Sequence, residues 1–457
     1  MAGIGFQLKK YLSKNNYRGL FGAYFYAGTV ASGPWLLSIL TIFVLTQIVS
    51  NKGVSEEIRV SFQVCILYLI MTSLIFSSIF QHTYTRYVAD ECYINKRDLI
   101  VPTLNSVFLV LIIASGIFSF FLIWLLLPSQ SLQIQILFGM SFIMLSMIWV
   151  TVSVLSGLLA FNSIVVSFLL SFVVAICVGF YFYKYQLIGL LFSFFVGQCF
   201  LFGSMIYIIY RYYPTKQVVN YDFFKYKKIH KSLIWTGVFY NIGIWVDKLM
   251  FWYHPFTGEK VIGNLYQSPI YDVPIFIAYL SIIPAMAVFL LRLEVDYSEA
   301  HENLYKKING SSTLAKIQVA YLELIKSARA TIISIIKTSS YVMFLLITAS
   351  GFFYFMKISP MHFPLIFICL VSGALNILFW GVLNIIFYLN RIREALILSL
   401  FFMLSNAVLT YLSIEMGIFY FGYGLLFSLL LSVILSFVLL NREVSKLQFK
   451  TYMLQSC

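Results

Sequence analysis

The chain has 457 residues, of which 61% are hydrophobic and only 11% are charged, and its mean hydropathy is +0.90. Soluble proteins contain roughly 45–50% apolar and about 25% charged residues, so this composition excludes a soluble globular protein. The net charge of +14 does not indicate a nucleic-acid-binding protein, because the basic residues lie in short segments beside apolar stretches rather than in a basic domain.

Apolar stretches long enough to cross a bilayer follow one another along the chain. A helix needs about 20 apolar residues to cross a hydrocarbon core of ~30 Å, and in lipid only a helix or a closed barrel satisfies its own backbone hydrogen bonds. The pattern predicts an all-α polytopic membrane protein with twelve transmembrane helices. The predicted spans are 22–49, 60–85, 101–127, 131–159, 162–183, 187–210, 233–253, 271–291, 331–356, 364–389, 394–414 and 418–440.

Lys and Arg residues alternate strongly between the two sides of these spans. With a cytoplasmic N-terminus, 25 of the 31 basic residues fall on the cytoplasmic side and 5 on the other, while Lys248 lies inside a span. Basic residues in short loops remain on the cytoplasmic side of the membrane. The sequence therefore predicts a multi-pass protein of the bacterial cytoplasmic membrane with both termini inside, its basic side attracted to anionic lipid.

The spans divide into two sets of six. We expect a basic amphipathic segment at 1–20, a six-helix bundle at 21–210, a cytoplasmic connector at 211–231, a second bundle at 232–440 and a cytoplasmic tail at 441–457. Each half carries an Arg followed by an acid four residues later after its second span: Arg86 and Asp90, then Arg292 and Asp296. Unless this agreement is a coincidence, it indicates two pseudo-symmetric six-helix bundles around a central cavity, an architecture typical of transporters.

Two segments outside the spans have helical periodicity. Residues 3–15 read as an amphipathic helix on the inner leaflet, with a disordered tail as the alternative. In the loop 292–337, apolar residues recur on both sides of a Gly310-Ser311-Ser312 break, which predicts two amphipathic helices. These helices could dock on the membrane or on a partner protein.

Asp247 and Lys248 are the main functional candidates because they lie within an apolar span. A charge at the centre of a membrane helix costs roughly 2.5–3.5 kcal/mol, so such residues usually face a bundle interior or a water-filled cavity. Neighbouring residues differ by about 100° around a helix, so we expect the two to point in different directions. The alternative to a transport role is that both form ion pairs that orient the helix.

Other polar and aromatic residues in or near spans are weaker candidates. They could line the cavity or bind sugar rings, but the same residue types serve as interhelical contacts and interface anchors. Asp272 and Glu294 bracket the eighth span and could be acidic stations at the two mouths of a pathway, or ordinary end charges. The remaining predicted pathway residues are Tyr24, Gln63, Arg86, Tyr240, Asn241 and Trp245.

Helix breaks in both halves indicate moving parts. Gly33-Pro34 falls in the middle of the first span and Pro284 near the middle of the eighth. Proline removes a backbone donor and kinks a helix. These positions are therefore candidate gating elements, with static kinks as the alternative.

No pattern in the sequence indicates an enzyme. It lacks a phosphate-binding loop, a zinc-protease motif and a nucleophile elbow. The six cysteines are scattered without a Cys-x-x-Cys pair, so no metal site is expected. We expect no cofactor.

Four segments of the chain match a known family: Met1–Phe6, Ser32–Trp35, Gly243–Lys248 and Arg292–Glu294. They resemble the PelG family of inner-membrane transporters, and the resemblance covers essentially the whole chain. That family falls within the superfamily of multidrug, lipid-linked oligosaccharide and polysaccharide exporters. The resemblance implies two six-helix bundles, alternating access, and export of a Pel-type polymer rich in partly deacetylated amino sugars, as in biofilm formation. It also implies a cytoplasmic glycosyltransferase and accessory inner-membrane proteins as partners. The alternatives are an ion-coupled drug or lipid-linked oligosaccharide antiporter, or a non-transporting scaffold for a polysaccharide synthase.

Overall fold

The computed structural model describes residues 18, 22–24, 27–28, 44–50, 52–94, 96–157, 161–225, 231–310, 312–348, 351 and 362–447. Within them the chain is almost entirely helical, with one short hairpin. It forms two compact units. The N unit comprises Gly33–Trp245 and Trp252–Ser268, and the C unit comprises Met1–Ser32, Val246–Phe251 and Pro269–Cys457. The predicted bundle boundaries stay a prediction.

Among the described residues, the N unit contains five long helices and the first part of a sixth. Helix α4 packs along α5, and α3 packs against α1, α2 and α5. At Gly197 of α5, an added Cβ would lie 2.8 Å from the Cβ of Ala175 on α4, so a small residue permits this close approach. In order, the helices are α1 (Glu56–Tyr93), α2 (Ile100–Leu126), α3 (Leu132–Gly157), α4 (Phe161–Phe182), α5 (Gln186–Tyr212), the short α6 (Asp222–Lys225) and the first part of α7 (Lys231–Tyr253).

A two-stranded hairpin follows α7 and was not predicted. Strands β1 (Glu259–Ile262) and β2 (Leu265–Gln267) pair antiparallel around a turn in which Gly263 has a φ of +56°. Asn264 in this turn donates from its backbone N–H to the Leu126 carbonyl at 2.7 Å and from its side chain to the Leu125 carbonyl at 2.8 Å. The hairpin therefore caps the C-terminal end of α2, where carbonyl groups have no partner within the helix.

The C unit contains helices from the second half of the chain. Helix α12 packs against α8 and α14, and α13 packs along α14. Helix α9 passes through a π-helical turn, Arg292–Tyr297, into α10 without a break. The helices are α8 (Pro269–Ser281), α9 (Ile283–Leu291), α10 (Ser298–Asn309), α11 (Leu314–Thr348), α12 (Phe363–Tyr388), α13 (Ile392–Glu415) and α14 (Tyr423–Ser445).

Nine segments of the described chain are long and apolar enough to cross a membrane, which supports a multi-pass membrane protein. One of them, Ser163–Tyr212, contains two predicted spans joined by a 3-10 turn at Tyr183–Tyr185. The predicted seventh span forms helix α7 but is not among the nine, because Asn241, Asp247 and Lys248 lower its mean hydropathy. Most of the predicted first span lies outside the described residues, and the count of twelve stays a prediction.

The structure of the loop 292–337 agrees with the prediction in its number of helices and differs in where the second helix ends. The two predicted amphipathic helices correspond to α10 and the first part of α11, with the break at Gly310. The second helix does not stop before the predicted ninth span, because no Pro or Gly interrupts Leu314–Thr348. At 1.5 Å per residue this 35-residue helix is about 52 Å long, well beyond a hydrocarbon core of ~30 Å.

Candidate functional site

The charged residues of α7 are both buried in the C unit. Asp247 is 0% and Lys248 is 3% exposed. The Lys248 Nζ lies 3.2 Å from each carboxylate oxygen of Asp247, so the two charges form an ion pair. The expectation that they point apart is wrong for the charged ends. The Cβ atoms of neighbouring residues diverge, but the four-carbon stem of lysine is long enough to turn back to the carboxylate.

Two neighbouring helices complete this ion pair. The Tyr271 hydroxyl of α8 donates to Asp247 Oδ2 at 2.6 Å, and the Asn406 amide of α13 lies 3.5 Å from Asp247 Oδ1. Lys248 donates to the Tyr279 hydroxyl of α8 at 3.0 Å. We call these five residues the buried charge cluster. They connect α7, α8 and α13 through groups that carry or bind charge.

A second layer of residues holds the cluster in place. Thr410, one helical turn after Asn406, donates to its amide oxygen at 2.9 Å, which leaves the NH₂ group directed towards Asp247. The ring of Tyr271 stacks on Phe251 with centroids 4.0 Å apart and an interplanar angle of 4°. Phe421 packs edge-on against Phe251 at 5.1 Å. The hydroxyl of Tyr271 is therefore fixed by its ring as well as by its hydrogen bond.

The free-energy cost of burying charge bears on the role of the cluster. A buried ion pair seldom adds net stability, because the loss of hydration offsets the attraction between the charges. Removing one partner is costly, since the other charge is then buried alone. Asp247 presents no exposed carboxylate in this structure. The cluster is therefore not a permanently open binding site in this structure.

The other predicted residues of the C unit lie outside the cluster. Asp272 follows Tyr271 and is half-buried. Glu294, in the π-helical turn, accepts a hydrogen bond from the Tyr388 hydroxyl at 3.2 Å. Pro284 lies at the start of α9, directly after the interruption at Ile282, which agrees with the predicted helix break. Tyr24 is half-buried in a helical segment.

The remaining described candidates belong to the N unit. Asn241 donates to the carbonyl of Gly237 on its own helix at 3.0 Å, and Trp245 lies 6.4 Å from the ring of Trp252. Tyr240 is half-buried. Gln63 is exposed, with its amide 3.5 Å from Thr46 Oγ1, while the exposed Arg86 pairs with Asp90 at 3.4 Å. Gly33, Pro34 and the amphipathic segment at 3–15 lie outside the described residues.

Sequence reasoning missed the cluster residues contributed by α8 and α13. Tyr271 and Tyr279 are unremarkable tyrosines in an apolar span, and Asn406 is one of several asparagines in the second half. The one available signal was a charged pair that required buried polar partners. Among the described residues, no group of three or more His, Cys, Asp or Glu side chains could hold a metal ion.

The fold resembles that of known transporters. An MOP superfamily transporter from Pyrococcus furiosus aligns with a TM-score of 0.59 and 12% identity, covering 93% of this chain and 96% of that one. A multidrug resistance MATE family transporter aligns in its outward-facing conformation with a TM-score of 0.55, 13% identity and coverage of 93% and 96%. The inward-facing conformation of a multidrug resistance MATE family transporter aligns with a TM-score of 0.59, 11% identity and coverage of 89% and 95%. At these identities the likeness shows the fold alone.

Sequence comparison identifies the family. No curated protein matches the chain. Residues 1–452, nearly the whole sequence, match PelG, the exopolysaccharide exporter family designated EPS-E. Together with the apolar helices and the MOP transporter fold, this match agrees with the resemblance seen at Met1–Phe6 and Gly243–Lys248. The chain belongs to the PelG family of exopolysaccharide exporters.

Proposed function

We propose that the chain exports an amino-sugar-rich exopolysaccharide of the Pel type across the cytoplasmic membrane, by alternating access of a cavity between two helical bundles. Membership of an exopolysaccharide exporter family supports a polysaccharide substrate. The MOP transporter fold supports a mechanism in which helices move, rather than one in which a catalytic group acts on the polymer.

The buried charge cluster is the observation that carries the mechanism. Alternating access requires two discrete arrangements of packed elements. In the described state, Asp247 and Lys248 of α7 are bound to α8 through Tyr271 and Tyr279, and to α13 through Asn406. A shift of α8 or α13 against α7 would take Tyr271, Tyr279 or Asn406 away from the buried ion pair and leave its charges with fewer hydrogen-bond partners. The cluster would therefore favour distinct states over intermediate ones.

Acidic residues at the ends of α8 and α9 would bind a partly cationic polymer as it passes along the pathway. Asp272 lies near the predicted outer end and Glu294 near the predicted inner end, and both are half-buried. Opposite charge across a pathway attracts and orients a substrate more than it adds to affinity. In this proposal Asp247 controls the state of the pathway, and Asp272 and Glu294 contact the polymer.

An ion-coupled antiporter is the second candidate, and Asp247 is the observation that favours it. A buried carboxylate that accepts hydrogen bonds from Tyr271 and Asn406 could bind a proton or a sodium ion in exchange for a drug or a lipid-linked oligosaccharide. The third alternative, a scaffold for a synthase, requires no such cluster.

A vesicle assay tests export. Inside-out membrane vesicles would contain this chain and a cytoplasmic polysaccharide synthase and receive nucleotide sugar from outside. We expect polymer in the lumen, protected from an added glycoside hydrolase, and none protected in vesicles without the chain. Polymer that is made but remains fully accessible to the hydrolase would indicate a scaffold. Uptake of a small cation or drug without a synthase, combined with no protected polymer, would indicate the antiporter.

We also propose that both termini and the loop 292–337 are cytoplasmic, and that α11 docks the glycosyltransferase or an accessory inner-membrane protein. The asymmetry of basic residues supports this orientation. The first part of α11 carries Lys316, Lys326 and Arg329 together with exposed Leu314 and Leu322. Lipid headgroups could attract the same bases.

Charge reversal of Lys316, Lys326 and Arg329 should reduce co-purification of the glycosyltransferase or accessory protein while leaving the transporter's abundance unchanged. A cysteine at Lys316 should react with a membrane-impermeant reagent in inside-out vesicles but not in intact cells. Labelling in intact cells would overturn the orientation. Unaltered co-purification with normal export would place the docking surface elsewhere.

A further inference from the structure

A cavity of about 600 Å³ lies in the C unit beside α10, outside the buried charge cluster. Its volume falls within the roughly 300–1,000 Å³ of typical small-ligand sites. On the predicted topology it lies on the cytoplasmic side, where a polymer would first meet the transporter. Its lining residues are Ser298, His301, Glu302, Tyr305, Lys306, Asn309, Gly310 and Tyr388.

Three aromatic rings form one part of the lining. The ring of His301 lies 4.6 Å from that of Tyr305 and 5.7 Å from that of Tyr388. Tyr297, which is 1% exposed, packs edge-on against Tyr388 at 5.4 Å and keeps that ring in place. Ring faces bind flat apolar surfaces, and the tyrosine hydroxyls offer hydrogen bonds at the edge. Pyranose rings present this combination of apolar faces and a hydroxyl rim.

The polar part of the lining is neutral overall. Glu302 and Lys306 neutralise each other through an ion pair of 2.7 Å along one face of α10. Ser298 and Asn309 supply uncharged donors and acceptors. The Nε2 atom of His301 is buried and has no hydrogen-bond partner among the described residues. Buried polar atoms are normally paired, so a ligand hydroxyl or amide that reached this nitrogen would supply the partner that it lacks.

We propose that this cavity is a loading subsite that binds one or two uncharged sugar rings of the polymer, such as N-acetylated hexosamine residues, on the inner side of the transporter. This inference rests on the proposed function and adds a site and a chemical preference to it. A cationic, deacetylated ring would have to compete with Lys306 for the carboxylate of Glu302, whereas a neutral ring would leave that pair intact. The aromatic rings and the His301 nitrogen would bind the neutral ring.

Oligosaccharide binding to the purified full-length protein tests the subsite. The probes are chitotetraose, which is N-acetylated and neutral, and its fully deacetylated counterpart, which is cationic; calorimetry gives both affinities. We expect the neutral probe to bind more tightly. Tyr305→Ala should weaken its binding about tenfold, since loss of an aromatic contact is worth on the order of 1.4 kcal/mol. Tyr305→Phe, which keeps the ring, should stay within about threefold of the unchanged protein.

The test has a control variant at a tyrosine outside the cavity. Tyr411→Ala removes a tyrosine that is 55% exposed on α13, away from the cavity lining, and should not change binding. Equal or tighter binding of the cationic probe would overturn the proposal. So would the absence of binding, or an affinity unchanged by Tyr305→Ala. If Tyr305→Ala weakens oligosaccharide binding but polymer export in cells stays normal, the loading role is overturned and the export function is not. If no protected polymer forms in the vesicle assay, the proposed function itself is overturned.

Discussion

Replacing Asp247 with asparagine should abolish polymer export and lower the free energy of unfolding by about 3–5 kcal/mol. The substitution leaves the Lys248 ammonium group buried in the C unit without its counter-charge. Tyr271 would also lose its charged acceptor at 2.6 Å. Secreted polymer, normalised to the amount of transporter in the membrane, and thermal unfolding of the purified protein measure the two effects.

The double variant Asp247→Asn with Lys248→Met separates a transport role from a structural one. It removes both charges and keeps similar volumes, so stability should recover most of the loss, because the two residues are directly coupled. Export should stay lost if the charges of α7 and their hydrogen bonds to α8 and α13 take part in the conformational change. Export that returns together with stability would show that the ion pair only orients α7.

An exposed ion pair supplies the matched control. Asp296 pairs with Arg292 at 2.6 Å, and both side chains are 39% exposed. Because surface pairs contribute about 0–1 kcal/mol, Asp296→Asn should leave stability and membrane abundance nearly unchanged. Near-normal export by a well-expressed Asp247→Asn protein would contradict the proposed role of the cluster.

Helix positions could be predicted from the sequence because lipid imposes a strong local rule on every span. The span predicted at 101–127 is observed as Ile100–Leu126, and that predicted at 364–389 as Phe363–Tyr388. Each begins and ends where apolar residues give way to polar or turn-forming ones. The same rule misjudged Leu314–Thr348, since an amphipathic helix and a membrane helix can be continuous when no Pro or Gly separates them.

The candidate site could be predicted only in part. Asp247 and Lys248 were recognisable because a charge is costly within an apolar span. Their partners Tyr271 and Asn406 are 24 and 159 residues away from Asp247, so no local pattern pointed to them. The hairpin had a local signal, the Gly263-Asn264 turn, but its strands are too short for hydrophobic alternation to be recognised. Contacts between distant segments decided both features.

Gly424 provides the other variant with a large expected effect. It lies at the start of α14, where an added Cβ would be 2.6 Å from the Leu409 carbonyl oxygen and 2.5 Å from the Thr410 backbone nitrogen of α13. Backbone atoms of a packed helix cannot turn aside as a flexible side chain can. We expect Gly424→Ala to lower the free energy of unfolding by about 1–3 kcal/mol or more, because α13 and α14 must move apart.

The same displacement should reduce export, because Thr410 orients Asn406 and Asn406 lies against Asp247 in the buried charge cluster.

Gly203→Ala is the matched control. Gly203 lies within α5, and nothing would come within 4 Å of its added Cβ. That variant should be as stable as the unchanged protein or slightly more so, since alanine favours a helix by about 0.5–1 kcal/mol over glycine. Thermal unfolding and secreted polymer, measured for both variants, check the prediction. Equal stability and export of Gly424→Ala and Gly203→Ala would show that α13 and α14 pack less closely than described. Normal export by a destabilised Gly424→Ala protein would show that this helix contact has no part in the transport mechanism.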